Sequence, residues 1–177
     1  MELPKVIKVQ QRFNSDRLLD IPSKVAEEVA RIDVSSRLST GDSVAITVGS
    51  RGVANLATII KSLVDELKKR GAQPFVIPAM GSHGGGTANG QRSVLQHYSI
   101  TESTMGVPIK ATMDTNQIGE TPDGIPVFLD KNALEADHIA VVNRIKPHTD
   151  FDADIESGLT KMMAIGLGKH RGASCYH

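Results

Sequence analysis

Residues 43–78 constrain the fold of this chain more than any other stretch, because they read as strand, helix and strand with each boundary marked by its own chemistry. The run SVAITV at 43–48 is apolar and β-branched, and the turn residues Gly41 and Asp42 lead into it. That is how a strand buried on both faces reads. Leu56, Ile59, Ile60, Leu63, Val64 and Leu67 then keep the i, i+3, i+4, i+7 spacing of a single apolar stripe on a helix. Lys68, Lys69 and Arg70 stand where the helix dipole favours cations, and Gly71 can take the left-handed conformation just past the end. Residues 74–78 return as a short buried strand.

The same alternation continues on both sides. Residues 5–9 predict a short strand, and residues 22–30 a helix with Pro22 in the tolerated first turn and Val25, Ala26 and Val29 on one face. After a glycine-rich turn, residues 91–98 predict a helix. Residues 109–113, 125–128 and 138–142 predict three more strands, and residues 155–165 a last helix. No internal repeat or low-complexity linker interrupts the chain. The expected architecture is an α/β domain of Rossmann-like type, a mainly parallel sheet flanked by helices, over residues 1–177 as one domain. Ligands in such sheets lie beyond the carboxyl ends of the strands.

Composition narrows the function classes. Twenty Lys plus Arg balance twenty Asp plus Glu, and only four Phe, two Tyr and no Trp are present. Neither a basic nucleic-acid binder nor a stacking platform for single strands is expected from that, and no apolar run has the roughly 20 residues of a membrane span. The single Cys175 excludes an internal disulfide framework, and the first residues lack the apolar core of a secretory signal. A cytoplasmic setting is expected.

The unusual residues fall just after predicted strands. Gly49, Ser50, Arg51 and Gly52 follow the first of the 43–78 pair, MGSHGGGT (80–87) follows the second, and NRIKPH (143–148) follows the strand at 138–142. The four glycines of the second loop, Gly84 and Gly85 among them, let backbone amides approach an anion, and Thr87 suits a helix N-cap. His83 in the middle of that turn is placed to exchange protons near neutral pH. A plain flexible turn is the bland alternative. Arg51 suits a planar donor fork for carboxylate or phosphate, with a solvated loop arginine as its alternative. His148 follows Pro147 and has Arg144 and Lys146 nearby, while the acids at Asp150, Asp152, Asp154 and Glu156 fit a solvated charged loop equally well.

Residues 157–177, SGLTKMMAIGLGKHRGASCYH, carry Lys161, Lys169, His170, Arg171 and His177 and no acid. Lys161 sits among Leu159, Met162, Met163 and Ile165. Such a setting disfavours the charged amine and can make it a nucleophile, whereas a lysine that snorkels to solvent has no such role. Cys175 and His177 are two apart, a weak metal-ligand set. His97 and His138 read as ordinary helix and strand histidines.

Together GSRG after a strand, PAMGSHGGGT, VNRIKPH and above all SGLTKMMAIGLGKHRGASCYH resemble the N-terminal domain of the lactate racemase family, over residues 44–177. The resemblance implies a nickel-pincer nucleotide cofactor, in which nickel is bound to a pyridinium thioamide/thiocarboxylate mononucleotide. Lys161 matches the lysine that anchors it covalently, and His177 the histidine that completes square-planar nickel coordination. His83 and His148 match the acid and base on the two faces of the substrate, and Arg51 the arginine that holds it. The glycine turn, with Gly84, Gly85 and Thr87, would then serve the cofactor, and the acid-free tail would face its phosphate and sulfur anions.

The reaction implied is racemisation or epimerisation of a 2-hydroxy acid. One histidine takes the hydroxyl proton as the α-hydrogen leaves as hydride, and return to either face of the planar keto acid gives either enantiomer. Val48 stands three places before Arg51, where the family pattern has an acid, so the resemblance does not fix which hydroxy acid is the substrate. It further implies a second, C-terminal domain that closes over the cofactor, which would make these residues a fragment of a longer chain. The alternatives are a domain that binds a phosphate or nucleotide without redox chemistry and, less well supported by ligand spacing, a zinc hydrolase.

Overall fold

The computed structural model of the chain describes residues 6–12, 17–146, 152 and 156–176. In chain order the elements are α1 (Ile21–Arg31), β1 (Ser43–Val48), α2 (Leu56–Lys69), β2 (Gln73–Pro78), α3 (Ala88–His97) and α4 (Glu102–Met105). There follow β3 (Thr115–Glu120), β4 (Pro126–Asp130), α5 (Lys131–Leu134), β5 (His138–Ala140), α6 (Leu159–Lys161) and, across a π-helical turn at Met162–Gly166, α7 (Leu167–Tyr176). β1 is the central strand of a three-stranded parallel sheet of order β2-β1-β5, and β3 pairs with β4 as a separate antiparallel hairpin.

The sheet is covered on both faces, which is why β1 is buried at every residue from Val44 to Val48 and β2 from Pro74 to Pro78. Val44, Ile46 and Val48 of β1 and Val76 of β2 pack with Leu56, Ile60, Val64 and Leu67 of α2 and Leu95 of α3. Ala45, Phe75 and Ile77 face the other way, onto Ala133, Met162 and Leu167. Val48 is fully buried in the first of these layers, so the position that the family pattern fills with an acid points into the core here. The α2 stripe lies against the sheet as its spacing requires, and Gly71 closes the helix at φ 82° with its N–H on Lys68 O at 2.9 Å. The parallel register pairs Val48 with Pro78 and Ile46 with Ala140. Three strand-end loops therefore open at one edge of the sheet.

Three expectations change. Residues 6–12 form no strand: Val6, Ile7 and Val9 are 91%, 80% and 75% exposed, and a β-prone run has no ladder without a neighbour to pair with. Residues 109–113 give a single parallel bridge between Ile109 and Val76, with Val76 N–H on Pro108 O and Lys110 N–H on Val76 O; the next bond of a parallel ladder would need an N–H at residue 78, which is proline. The last helix begins at Leu159, while residues 153–155 lie outside the described residues. The hairpin partner β3, TNQIGE, was not expected, since five of its six residues are exposed and carry no buried period.

α3 starts at Ala88, and Thr87 is its N-cap, accepting the Gly90 N–H at 3.0 Å. The first turn of this helix is pressed onto the glycine-rich loop. A Cβ built on Gly90 would sit 1.8 Å from Gly84 O, and one on Gly84 only 2.6 Å from Gln91 N. Gly90→Ala must therefore push the turn that carries His83 away from the helix, with an expected loss of about 1–3 kcal/mol, the usual range for overpacking. Chemical denaturation of the two proteins would read it; equal midpoints would mean the turn moves without strain.

Candidate functional site

At the carboxyl edge of the sheet lies a cavity of about 550 Å³, lined by residues from all three strand-end loops and from the α6 segment. β1 delivers Arg51, β2 delivers His83, and the loop after β5 delivers Arg144 and Lys146; Lys161 closes the set from the end of α6. Among the described lining residues there is no aspartate or glutamate. The zero net charge of the chain is thus unevenly spread, and this cavity suits an anionic ligand. Met80, Met162 and Ile165 supply an apolar wall.

Lys161 reaches the cavity because the π-helical turn behind it lies directly on the end of β2. Gly81 N–H bonds Gly166 O at 3.3 Å, and a Cβ on Gly166 would meet Ala79 O at 2.8 Å, so only glycine permits that approach. Asn143 ties the third loop to the same segment through Gly158 O at 2.8 Å. π-helical turns are recurrent at functional sites, where they turn a side chain out of the helical order.

His83 sits on a turn fixed from several sides. Its N–H bonds Met80 O at 3.1 Å, and Gln91 Nε2 donates to Gly81 O at 2.8 Å and to His83 O at 3.2 Å. The imidazole Nδ1 is hydrogen-bonded to Ser50 Oγ of the first loop. Gly84, Gly85 and Thr87 stand behind His83, outside the cavity lining; Thr87 spends its hydroxyl on the helix cap. His148 and His177 lie outside the described residues.

The tail divides differently from the expectation that its basic residues face one ligand. Lys169 is fully buried, with its ammonium 2.9 Å from Asp130 Oδ2, 3.1 Å from Gln91 Oε1 and hydrogen-bonded to Pro78 O. Burial pushes this amine below the ordinary lysine range, and the ion pair with Asp130 offsets part of the shift. Its backbone, at φ 55° and ψ −155°, lies in a region almost reserved for glycine. Arg171 lies over the Phe128 ring at 4.4 Å, and Tyr176 OH donates to Pro126 O at 2.9 Å and accepts from Phe128 N–H at 3.0 Å, so α7 is seated on β4. Of the basic tail residues described, Lys161 alone lines the cavity.

Sequence reasoning missed the chain Asp130–Lys169–Gln91, which runs from the hairpin to the turn of His83. Nothing local marks it, because its three members are brought together only by the fold. His97 and His138 take no part in the cavity; His138 Nε2 lies 3.0 Å from Asp42 Oδ2 at the far end of the sheet. Cys175 is exposed, and among the described residues no group of three His, Cys, Asp or Glu side chains is arranged to hold a metal ion. No helix among them is long and apolar enough to cross a membrane.

No curated protein and no solved structure matches the chain. The family model described as the lactate racemase N-terminal domain matches residues 9–177. That span takes in all three strand-end loops and the Lys161 segment, and the chain belongs to the lactate racemase N-terminal domain family.

Proposed function

We propose that this chain is the cofactor-bearing domain of a racemase or epimerase acting on a 2-hydroxy acid. The observation that carries the reading is that Arg51, His83 and Lys161, from three separate segments, line one cavity with no acid among its described lining. The residues present fit a nickel-pincer nucleotide. An anionic mononucleotide calls for cations, which Arg144 and Lys146 supply at the rim, and its ring for an apolar wall, which Met162 and Ile165 supply. Lys161, which lines the cavity, is assigned the covalent attachment and His177 the nickel, both by the family motif. Bound there, the cofactor supplies a hydride acceptor, which inversion at a carbon without an acidic proton requires.

The chain's own residues do the remainder. Arg51 holds the substrate carboxylate by a paired N–H fork. His83, whose Nδ1 is engaged by Ser50, offers Nε2 to the substrate hydroxyl, takes its proton as the C–H bond breaks and returns it on the way back. His148 is assigned the same task on the opposite face. Arg51, His83 and Arg144 are exposed here, which supports a second domain closing over them, since hydride chemistry needs water excluded. A cytoplasmic setting belongs to the same proposal, consistent with a single cysteine.

Intact and peptide mass spectrometry of the full chain, purified from cells that make the cofactor, tests the assignment. The expected result is an adduct on Lys161 that Lys161→Arg abolishes. An unmodified Lys161 would overturn it, and nucleotide binding by calorimetry that survives loss of both Lys161 and His177 would favour the reading as a binding domain.

A further inference from the structure

We infer that Ser50 is a positioning residue for His83, holding the imidazole by Nδ1 so that Nε2 is presented. Ser50 Oγ is hydrogen-bonded to His83 Nδ1, and both residues line the cavity. Ser50 is itself held in place: Tyr98 OH, at the end of α3, donates to Ser50 O at 2.8 Å. The peptide of His83 is fixed by Met80 O and Gln91 Nε2. With backbone fixed on both sides, the Oγ–Nδ1 bond decides how the ring is turned.

The choice of a hydroxyl is chemically specific. A hydroxyl accepting from Nδ1–H is an uncharged partner, whereas a carboxylate in its place would favour the imidazolium. A histidine that serves as base in one direction and as acid in the other passes through both charge states in each turnover. Nε2 must be bare to take a proton, so Nδ1 carries its hydrogen in both states and Ser50 Oγ accepts from it throughout. In the forward step the substrate O–H proton moves to Nε2 and neutral His83 becomes imidazolium, with Nδ1–H still on Ser50; the reverse step returns the proton. Ser50 handles only the proton side of the step; the hydride with its electron pair would go to the cofactor of the proposed reading and come back from it.

The relevance of this role rests on the proposed racemase reading, but its test does not. The full chain labelled with ¹⁵N-histidine, read by long-range ¹H–¹⁵N NMR, should give for neutral His83 a pair of ring-nitrogen shifts displaced from those of free imidazole by the bond to Ser50. Ser50→Ala is expected to move both shifts to the free-imidazole pattern and Ser50→Thr to restore them, with the backbone amide spectrum of each variant confirming the fold. Unchanged ring shifts in Ser50→Ala, or a failure of Ser50→Thr to restore them, would overturn the inference. The readout needs no cofactor, so an unmodified Lys161 would sink the racemase reading and leave this result standing.

Discussion

Asp130→Ala is expected to lower folding stability by about 3–5 kcal/mol, the range found when one partner of a buried ion pair is removed. The Lys169 ammonium is fully buried, and its remaining partners, Pro78 O and Gln91 Oε1, are neutral. Without the carboxylate the charge has nothing to balance it, and its release from that site requires breaking a contact at the end of β2 and another in α3. Asp130 Oδ1 also accepts the Ala133 N–H at 3.1 Å, so α5 loses its cap in the same step. For a domain of this size each kcal/mol moves the melting temperature by about 2–4 °C, which puts the expected drop at roughly 6–20 °C. Replacing both members with apolar residues, Asp130→Leu with Lys169→Met, should recover much of the loss, because a buried pair exchanged whole for apolar packing is often close to neutral. Scanning calorimetry on the three proteins decides it. A single Asp130→Ala variant within 1 kcal/mol of the parent would mean that water reaches the ammonium and the pair is not the tie it looks to be.

That pair also marks where the sequence stops being readable. β1, α2 and β2 are legible because each repeats a period that one buried face or two imposes, and Gly71 and the lysines before it end α2 by local chemistry alone. The convergence of Arg51 and His83 follows from the same reading, since parallel strands in register must open their loops on one edge. β3 is different. Its residues are exposed and polar, and the signal lay in the turn: Thr-Pro-Asp-Gly at 121–124 is hairpin chemistry, with Gly124 at φ 78°. Lys169 is the harder case. In the sequence it belongs to a basic tail, and its partner Asp130 is 39 positions earlier, the difference of the two numbers. Burial of a lysine depends on an acid that only the folded hairpin delivers, so no local pattern could separate it from Lys161, which the same tail sends to the cavity.

In protein carrying the Lys161 adduct, His83→Asn is expected to lower turnover of a 2-hydroxy acid by about 10²–10⁴-fold, the usual contribution of a positioned acid–base group. Asparagine keeps a polar side chain within reach of Ser50 and should leave the turn intact, because that turn is held by Met80 O and Gln91 Nε2 and not by the imidazole. What it cannot do is carry a proton. The substrate hydroxyl must lose its proton as the C–H bond breaks; without a base at Nε2 the oxygen would have to lose it to water or keep it into a high-energy cation. Because this assistance exists only as the bond breaks, kcat and kcat/KM should fall together while KM stays nearly level, the pattern of an interaction made in the transition state alone. Arg51→Ala offers the contrast, since a carboxylate clamp acts on bound substrate as well and its loss should raise KM. Initial rates followed by chiral chromatography in both directions separate the two. A His83→Asn enzyme that keeps turnover within tenfold of the parent in both directions would remove His83 from the acid–base role and leave Arg51 and Lys161 as a binding site whose proton carrier lies elsewhere.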